Sequence, residues 1–492
     1  MIEGRIVIDP ALRVGPVRRR TFGSFVEHLG RCVYTGIYEP EHPSADEDGF
    51  RGDVLALTRE LGVTTVRYPG GNFVSAYRWE DGIGPVAERP ARPDPAWHST
   101  EPNLFGVDEF MAWARKAGVE PMMAVNLGTR GVAEALDLLE YCNLPPGTHW
   151  ASRRPVPEPY DVRIWCLGNE MDGPWQIGHK TAREYGRLAA ETARAMRMLD
   201  PDLELVACGS SSSTMPTFGA WEEVVLEETY DLVDHISCHA YYEEQDGDLD
   251  SFLASAVDMD HFIDTVVAKA DEVGARLGAR KRIQVSFDEW NVWYQSRWAD
   301  ATPDGWPVAP PLLEDDYHLA DAVVVGGLLI ALLRHTDRVA AACQAQLVNV
   351  IAPIRTEPGG PARRQPTFHP FAQAARHAAG DVLDVQPESP RRETAKYGPV
   401  PVLDAVAARD PETGRTTVFA VNRSTTDPLD LTITVQTSAA EATTLADSDP
   451  YARNTAADPD RVTPRPNPDV VVDGDHVRVV LPPVSWNVIH LA

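Results

Sequence analysis

Apolar and polar positions follow two rhythms in this chain, and the change falls near position 371. From Thr21 onward, short apolar β-type runs alternate with stretches whose apolar residues recur every three or four positions. That pattern predicts strands alternating with helices. Eight strands are predicted, at 21–28, 64–68, 121–127, 163–170, 203–208, 235–241, 282–288 and 341–348. The best-marked helix carries Phe110, Trp113, Ala114 and Ala117 on one face, with Asp108 and Glu109 in its first turn and Gly118 closing it. A longer one is predicted over 179–199, where Tyr185, Leu188, Ala189, Met196 and Leu199 repeat at helical spacing, and an apolar one over 319–333. Eight strand–helix repeats over 21–370 predict a (β/α)8 barrel with enlarged loops. A doubly wound open sheet is the alternative, but Gly70 and Gly71 lack the further glycines and the lysine of a dinucleotide or phosphate fingerprint.

Beyond 371 the helical period fades. Leu429, Leu431, Ile433 and Val435 alternate strictly with polar partners, as a half-buried antiparallel strand does. Asp473–Gly474 between two valine-rich runs signals a hairpin. A β-sandwich domain is therefore predicted over 371–492, with 447–469 as a long loop. Residues 1–20 form an N-terminal arm able to add a strand to that sandwich.

Charge narrows the partners. Forty-five basic against 73 acidic side chains leave a net charge of −28, which repels nucleic acid and anionic membranes and leaves neutral small molecules as substrates. With 43% apolar residues and 12 Trp the chain is not disordered, and no leader or membrane-spanning run is legible, so a cytoplasmic protein is expected. The six cysteines form no Cys-x-x-Cys pair and show no zinc spacing, so buried free thiols are expected.

On a barrel, the residues at the carboxyl ends of the strands converge on one face. Pooled in that way, the strand ends contribute Glu27, His28, Arg67, Asn72, Asn126, Asn169, Glu170, His239, Tyr241, Glu289, Trp290, Trp293 and Gln346; the loop after Pro95 adds Trp97, Glu101 and Asn103. Amides and carboxylates for hydroxyl groups, aromatic faces for C–H surfaces and two glutamates for bond cleavage are the inventory of sugar chemistry. Taken singly, His239 reads as a hydrogen-bonded core histidine and the two tryptophans as rim packing; their clustering favours a site. No His-Glu-x-x-His pattern points to a metal, no cofactor is implied, and Gly209 to Ser213 is not a nucleophile elbow.

The motifs GSFVEHLGR at 23–31, RYPGGNF at 67–73, the stretch 165–176 around Asn169 and Glu170, FDEWNVWY at 287–294 and AQLVN at 345–349 resemble those of the glycoside hydrolase family 51 α-L-arabinofuranosidases. The resemblance spans almost the whole chain. It implies a retaining exo-acting enzyme with Glu170 as general acid/base and Glu289 as nucleophile. It further implies that Glu27, Asn72, Asn169 and Gln346 hold the furanose ring, that Tyr241 orients the nucleophile, and that Trp97 and Trp293 wall the cleft. Arg67 and His239 would act from behind these groups. A jelly-roll tail, a homo-oligomer, commonly a hexamer, and arabino- or arabinoxylo-oligosaccharide substrates also follow from the resemblance. An endo-glucanase or xylosidase of the same family is the alternative within the class, and a non-catalytic glycan-binding protein the alternative outside it. Leu104 departs from the family pattern, which often has a more polar residue there.

Overall fold

The computed structural model describes residues 1–299 and 301–492. Eight parallel strands close into a barrel in chain order: β1 (Gly23–Phe25), β2 (Thr65–Tyr68), β3 (Glu120–Val125), β4 (Ile164–Leu167), β5 (Glu204–Ala207), β6 (His235–Tyr242), β7 (Gln284–Val292) and β8 (Val339–Gln344). All four residues of β2 and of β4 are buried, because side chains facing inward fill the barrel and those facing outward meet the helices. This is the predicted barrel, with altered strand ends. The expected start of β1 is a turn of 3-10 helix at Arg19–Phe22, and β8 stops at Gln344, leaving Gln346 on the loop beyond.

The helix expected from 179 spans Ala182–Leu199, starting later because Thr181 caps it: the Thr181 hydroxyl accepts from Glu184 N–H while the Glu184 carboxylate accepts from Thr181 N–H. The helix Leu319–Arg334, apolar but for Asp321 in its first turn and Arg334 at its end, is buried along nearly its whole length, between the barrel and the strand-rich C-terminal region. Its Gly326 lets Trp486 approach so closely that a Cβ there would stand 2.4 Å from the indole ring. The first free N–H groups of that helix are satisfied by the segment read as loop, Leu319 donating to Ala452 O and Ala320 to Pro450 O.

The C-terminal region stacks a four-stranded sheet on a seven-stranded one, a β-sandwich. Leu429–Thr434 buries alternate residues as its pattern predicts, and Val470–Asp473 pairs with His476–Leu481 through the Asp-Gly turn. Arg465–Asn467, expected within a loop, is a short strand of the larger sheet. The N-terminal segment contributes to both sheets: Ile2–Val7 runs parallel to Leu429–Thr434, and Arg13–Pro16 pairs with Asp381–Leu383. A helix, Phe368–His377, lies across the position where the rhythm changes.

Candidate active site

The chain leaves β4 through Gly168, Asn169 and Glu170. Gly168 has φ +94°, a conformation that favours glycine, and Glu170 itself has φ +43°. A non-glycine residue held there costs about 1–3 kcal/mol and is typical of a functional position. Glu289 comes from β7. One oxygen of each carboxyl and a nitrogen of His239 all lie within 4.8 Å of one another.

Each carboxyl oxygen has its own partner. Glu289 Oε1 accepts from Arg67 Nη1 at 2.6 Å, and Oε2 accepts from the Tyr241 hydroxyl at 2.7 Å. Glu170 Oε2 accepts from Trp175 Nε1 at 2.6 Å, and Oε1 lies 2.9 Å from His239 Nδ1. His239 Nε2 in turn lies 2.9 Å from Asp288 Oδ1. Arg67 Nη2 donates to Asn169 Oδ1 at 2.7 Å, so one guanidinium ties the residue before Glu170 to Glu289.

The electrostatics follow from burial and these contacts. Burial disfavours a charged His239, but Glu289, Asp288 and Glu170 lift it to about 10. Burial likewise opposes the Asp288 charge, and Arg67 and His239 hold that carboxyl below its ordinary value. Glu289 is raised by burial, with the His239 and Arg67 charges and the Tyr241 hydrogen bond opposing the rise. Glu170, His239 and Glu289 come close enough together to suggest a cation site. Both His239 nitrogens and both Glu289 oxygens already have protein partners, however, and Arg67 brings a positive charge to the spot, so the set does not fit a cation.

Glu27, after β1, accepts from Phe73 N–H at 2.9 Å, Trp97 Nε1 at 3.0 Å and Gln346 Nε2 at 3.1 Å. Burial pushes its carboxyl up to about 8. The glycine pair that matched no phosphate motif makes room here: a Cβ on Gly70 would stand 2.6 Å from Glu27 Cγ, and one on Gly71 3.1 Å from Glu289 Oε1. Asn72, Trp97, Tyr241, Trp293 and Gln346 line a cleft of ≈ 1190 Å³ together with Glu27, Glu170 and Glu289. The Trp293 ring meets Tyr241 edge-on at 5.0 Å.

Other pooled residues lie elsewhere. Trp290 is fully buried core, and His28 is buried between Glu101 and the Tyr68 hydroxyl. Asn126 and Asn103 hold their own loops through backbone hydrogen bonds. Leu104 does not line the cleft. Two further residues of the site, Trp175 and Asp288, are not singled out by strand ends or motifs in the sequence. Alternation predicts that Asp288 and Glu289 point to opposite faces, yet Asp288 reaches His239 where the β6–β7 and β7–β8 registers shift. Trp175 lay within the motif at 165–176, but nothing in its spacing points it at Glu170.

A closed parallel barrel with two carboxyls facing each other at its carboxyl-end rim is the arrangement of a glycoside hydrolase. Comparison with known proteins makes that assignment specific. The family model described as the α-L-arabinofuranosidase 1 domain matches residues 57–264, and the α-L-arabinofuranosidase C-terminal domain matches 288–485. The chain belongs to the α-L-arabinofuranosidases of glycoside hydrolase family 51. It is 60% identical to an intracellular exo-α-(1→5)-L-arabinofuranosidase of Streptomyces lividans, over 100% of this chain and 76% of that protein. It is 56% identical to an exo-α-(1→6)-L-arabinofuranosidase of Bifidobacterium longum, over 99% and 97%. A solved family 51 α-L-arabinofuranosidase from Bifidobacterium longum superposes with a TM-score of 0.96 at 50% identity, covering 100% of both chains.

Proposed function

We propose that this chain is a retaining, exo-acting α-L-arabinofuranosidase that removes terminal arabinofuranosyl units from arabino- and arabinoxylo-oligosaccharides inside the cell. The observation that carries the mechanism is the spacing of Glu170 and Glu289, whose nearest oxygens lie within 4.8 Å. A retaining pair stands about 5–5.5 Å apart, whereas an inverting pair needs about 6.5–9.5 Å to admit a water. The activity and the intracellular setting rest on family membership and on the names of relatives with up to 60% identity.

In the first step Glu289 attacks the anomeric carbon while Glu170 gives its proton to the leaving oxygen, forming a glycosyl ester on Glu289. Glu170 then takes a proton from water, which attacks the same carbon and frees Glu289. Arg67 and Tyr241 hold one Glu289 oxygen each, which fixes the direction of attack. Glu27, Asn72 and Gln346, which line the cleft, supply polar groups for the furanose hydroxyls, Trp97 and Trp293 wall the ring, and Asn169, held between Arg67 and Gln176, joins them when its Nδ2 turns to the sugar. A homo-oligomer belongs to the same proposal and rests on the family resemblance alone; light scattering of the purified protein tests it.

The experiment is a substrate panel. Aryl α-L-arabinofuranoside is turned over, and aryl β-D-xyloside and β-D-glucoside are not. Preference for either of the latter would favour the xylosidase or endo-glucanase reading. Relatives named for (1→5) and for (1→6) linkages both stand close, so the panel includes disaccharides of each.

A further inference from the structure

The cleft is far larger than one pentose needs, and its outer lobe is built partly by the C-terminal region. Arg391–Thr394 and Gly398–Pro401 form a hairpin that belongs to neither sandwich sheet. Its tip, Ala395 to Tyr397, lines the same cleft as Glu170 and Glu289. The hairpin is fastened to the barrel: Lys396 N–H donates to Ser251 Oγ at 3.0 Å, and Arg392 Nε lies 2.9 Å from Asp250 Oδ1. Within the tip, Tyr397 N–H donates to Thr394 Oγ1 at 3.0 Å, so the turn is held from inside as well.

The floor of this lobe centres on Asp258. Its two oxygens accept from Ser213 Oγ at 2.9 Å and from the Tyr242 hydroxyl at 3.0 Å, joining the loop after β5 to the end of β6. Burial and the nearby Asp258 charge keep the Tyr397 phenol neutral, well above its ordinary value. The Lys396 ammonium lies 5.2 Å from the Tyr397 ring centre. Tyrosine faces beside hydroxyls and a carboxylate are the chemistry that holds a neutral saccharide, apolar ring face on aromatic and hydroxyl groups on polar atoms.

The side of the cleft on which the lobe opens is also visible. Ser211 donates through N–H and hydroxyl to Asp172 Oδ2, at 3.0 and 3.1 Å, and Asp172 lies two residues past Glu170. The wall that continues from Ser211 to Met215 therefore grows from the Glu170 side. Glu27 and Gln346, hydrogen-bonded to each other, line the same cleft but take no part in that wall.

We propose that the hairpin tip, with Tyr397 as its platform and Ser213, Tyr242 and Asp258 as its floor, is a distal subsite for sugar units of the leaving saccharide beyond the one next to the cleaved bond. The inference rests on Glu170 being the acid that protonates the leaving group. It makes the C-terminal region a determinant of chain-length preference as well as a packing partner.

The test compares kcat/KM for α-(1→5)-arabinotriose with that for aryl α-L-arabinofuranoside, in wild type and in Tyr397→Ala. Loss of one aromatic platform lowers that ratio by about 3- to 10-fold. Any fall in the amount of folded enzyme cancels in the ratio, so a partly misfolded variant still answers the question. Tyr397→Phe, which keeps the ring, retains most of the wild-type ratio. A ratio unchanged in Tyr397→Ala overturns the subsite. Wild-type enzyme that fails to turn over the aryl arabinofuranoside refutes the proposed activity instead, and the two failures are read from different substrates.

Discussion

His239 Nδ1 lies 2.9 Å from Glu170 Oε1, and this buried imidazole is the only side chain that touches Glu170, Asp288 and Glu289 together among the described residues. Its charge offsets the crowding of three carboxyls in a space with little water. Replacing it with Asn leaves Glu170 without that partner and Asp288 with Arg67 as its remaining nearby charge. His239→Asn lowers kcat on aryl arabinofuranoside by about 10- to 100-fold, less than the ~10²–10⁴ attached to the acid/base itself. Steady-state kinetics check this, and a variant with wild-type kcat contradicts a role in catalysis.

The two glutamates separate by leaving group. Glu289→Ala removes the attacking carboxylate and abolishes turnover of every substrate. Glu170→Ala leaves ester formation intact when the leaving group departs without a proton, as a dinitrophenolate does, and slows the second step by about 10²–10⁴. Mass spectrometry then finds the glycosyl-enzyme accumulating. Equal loss on activated and unactivated substrates contradicts the acid role.

Arg67→Met removes a buried guanidinium whose two amino groups reach Glu289 and Asn169. Breaking one side of a buried ion pair costs about 3–5 kcal/mol because the other charge is left uncompensated. Chemical denaturation reads that loss, and kcat falls with it because Glu289 loses the donor on Oε1. A midpoint within ~0.5 kcal/mol of wild type contradicts the pairing.

Stability falls between pH 7 and 9. Burial pushes Glu27 from 4.5 up to about 8, so its proton is held more tightly in the folded state, and the stabilisation drains away from the unfolded value of 4.5 until it is fully lost above about 8. His239, lifted to about 10 against the pull of burial, contributes stability that is complete below its unfolded value of 6.5 and is lost as pH rises towards 10. Burial lowers His318, His369 and His377 to about 4, which gives the opposite slope between about 4 and 6.5, where burial of Asp94 and Asp321, raised to about 7, and of Asp172, raised to about 6, works against it. Thermal unfolding at pH 7, 8 and 9 measures it. Glu27→Gln flattens the part of the fall below about pH 8 and leaves the part between 8 and 9 unchanged, and a Tm that rises from pH 7 to 9 contradicts the assignment.

The barrel was legible because burial on both faces makes its strands short apolar runs, and because the end of each run marks the rim where Glu170 and Glu289 meet. The strand ends supply both partners of Arg67, Glu289 and Asn169, and the Glu27–Gln346 pair, whereas Trp97 reaches Glu27 from the loop after Pro95 and Phe73 reaches it through its backbone. Asp288 was not legible, because a register shift breaks the alternation on which strand reading depends. Trp175 was missed because loop conformation, set by tertiary contacts, decides where its indole points. The hairpin at Arg391–Pro401 reads locally as a tail element, and only packing against Ser251 and Asp250 brings Tyr397 into the cleft.

The stereochemistry of the first product tests the central claim most directly. Proton NMR during hydrolysis of aryl α-L-arabinofuranoside, recorded before mutarotation, shows α-L-arabinofuranose appearing first if Glu289 forms a covalent intermediate and Glu170 activates the water. Appearance of the β anomer first would mean a single displacement, and would contradict the roles given to both glutamates.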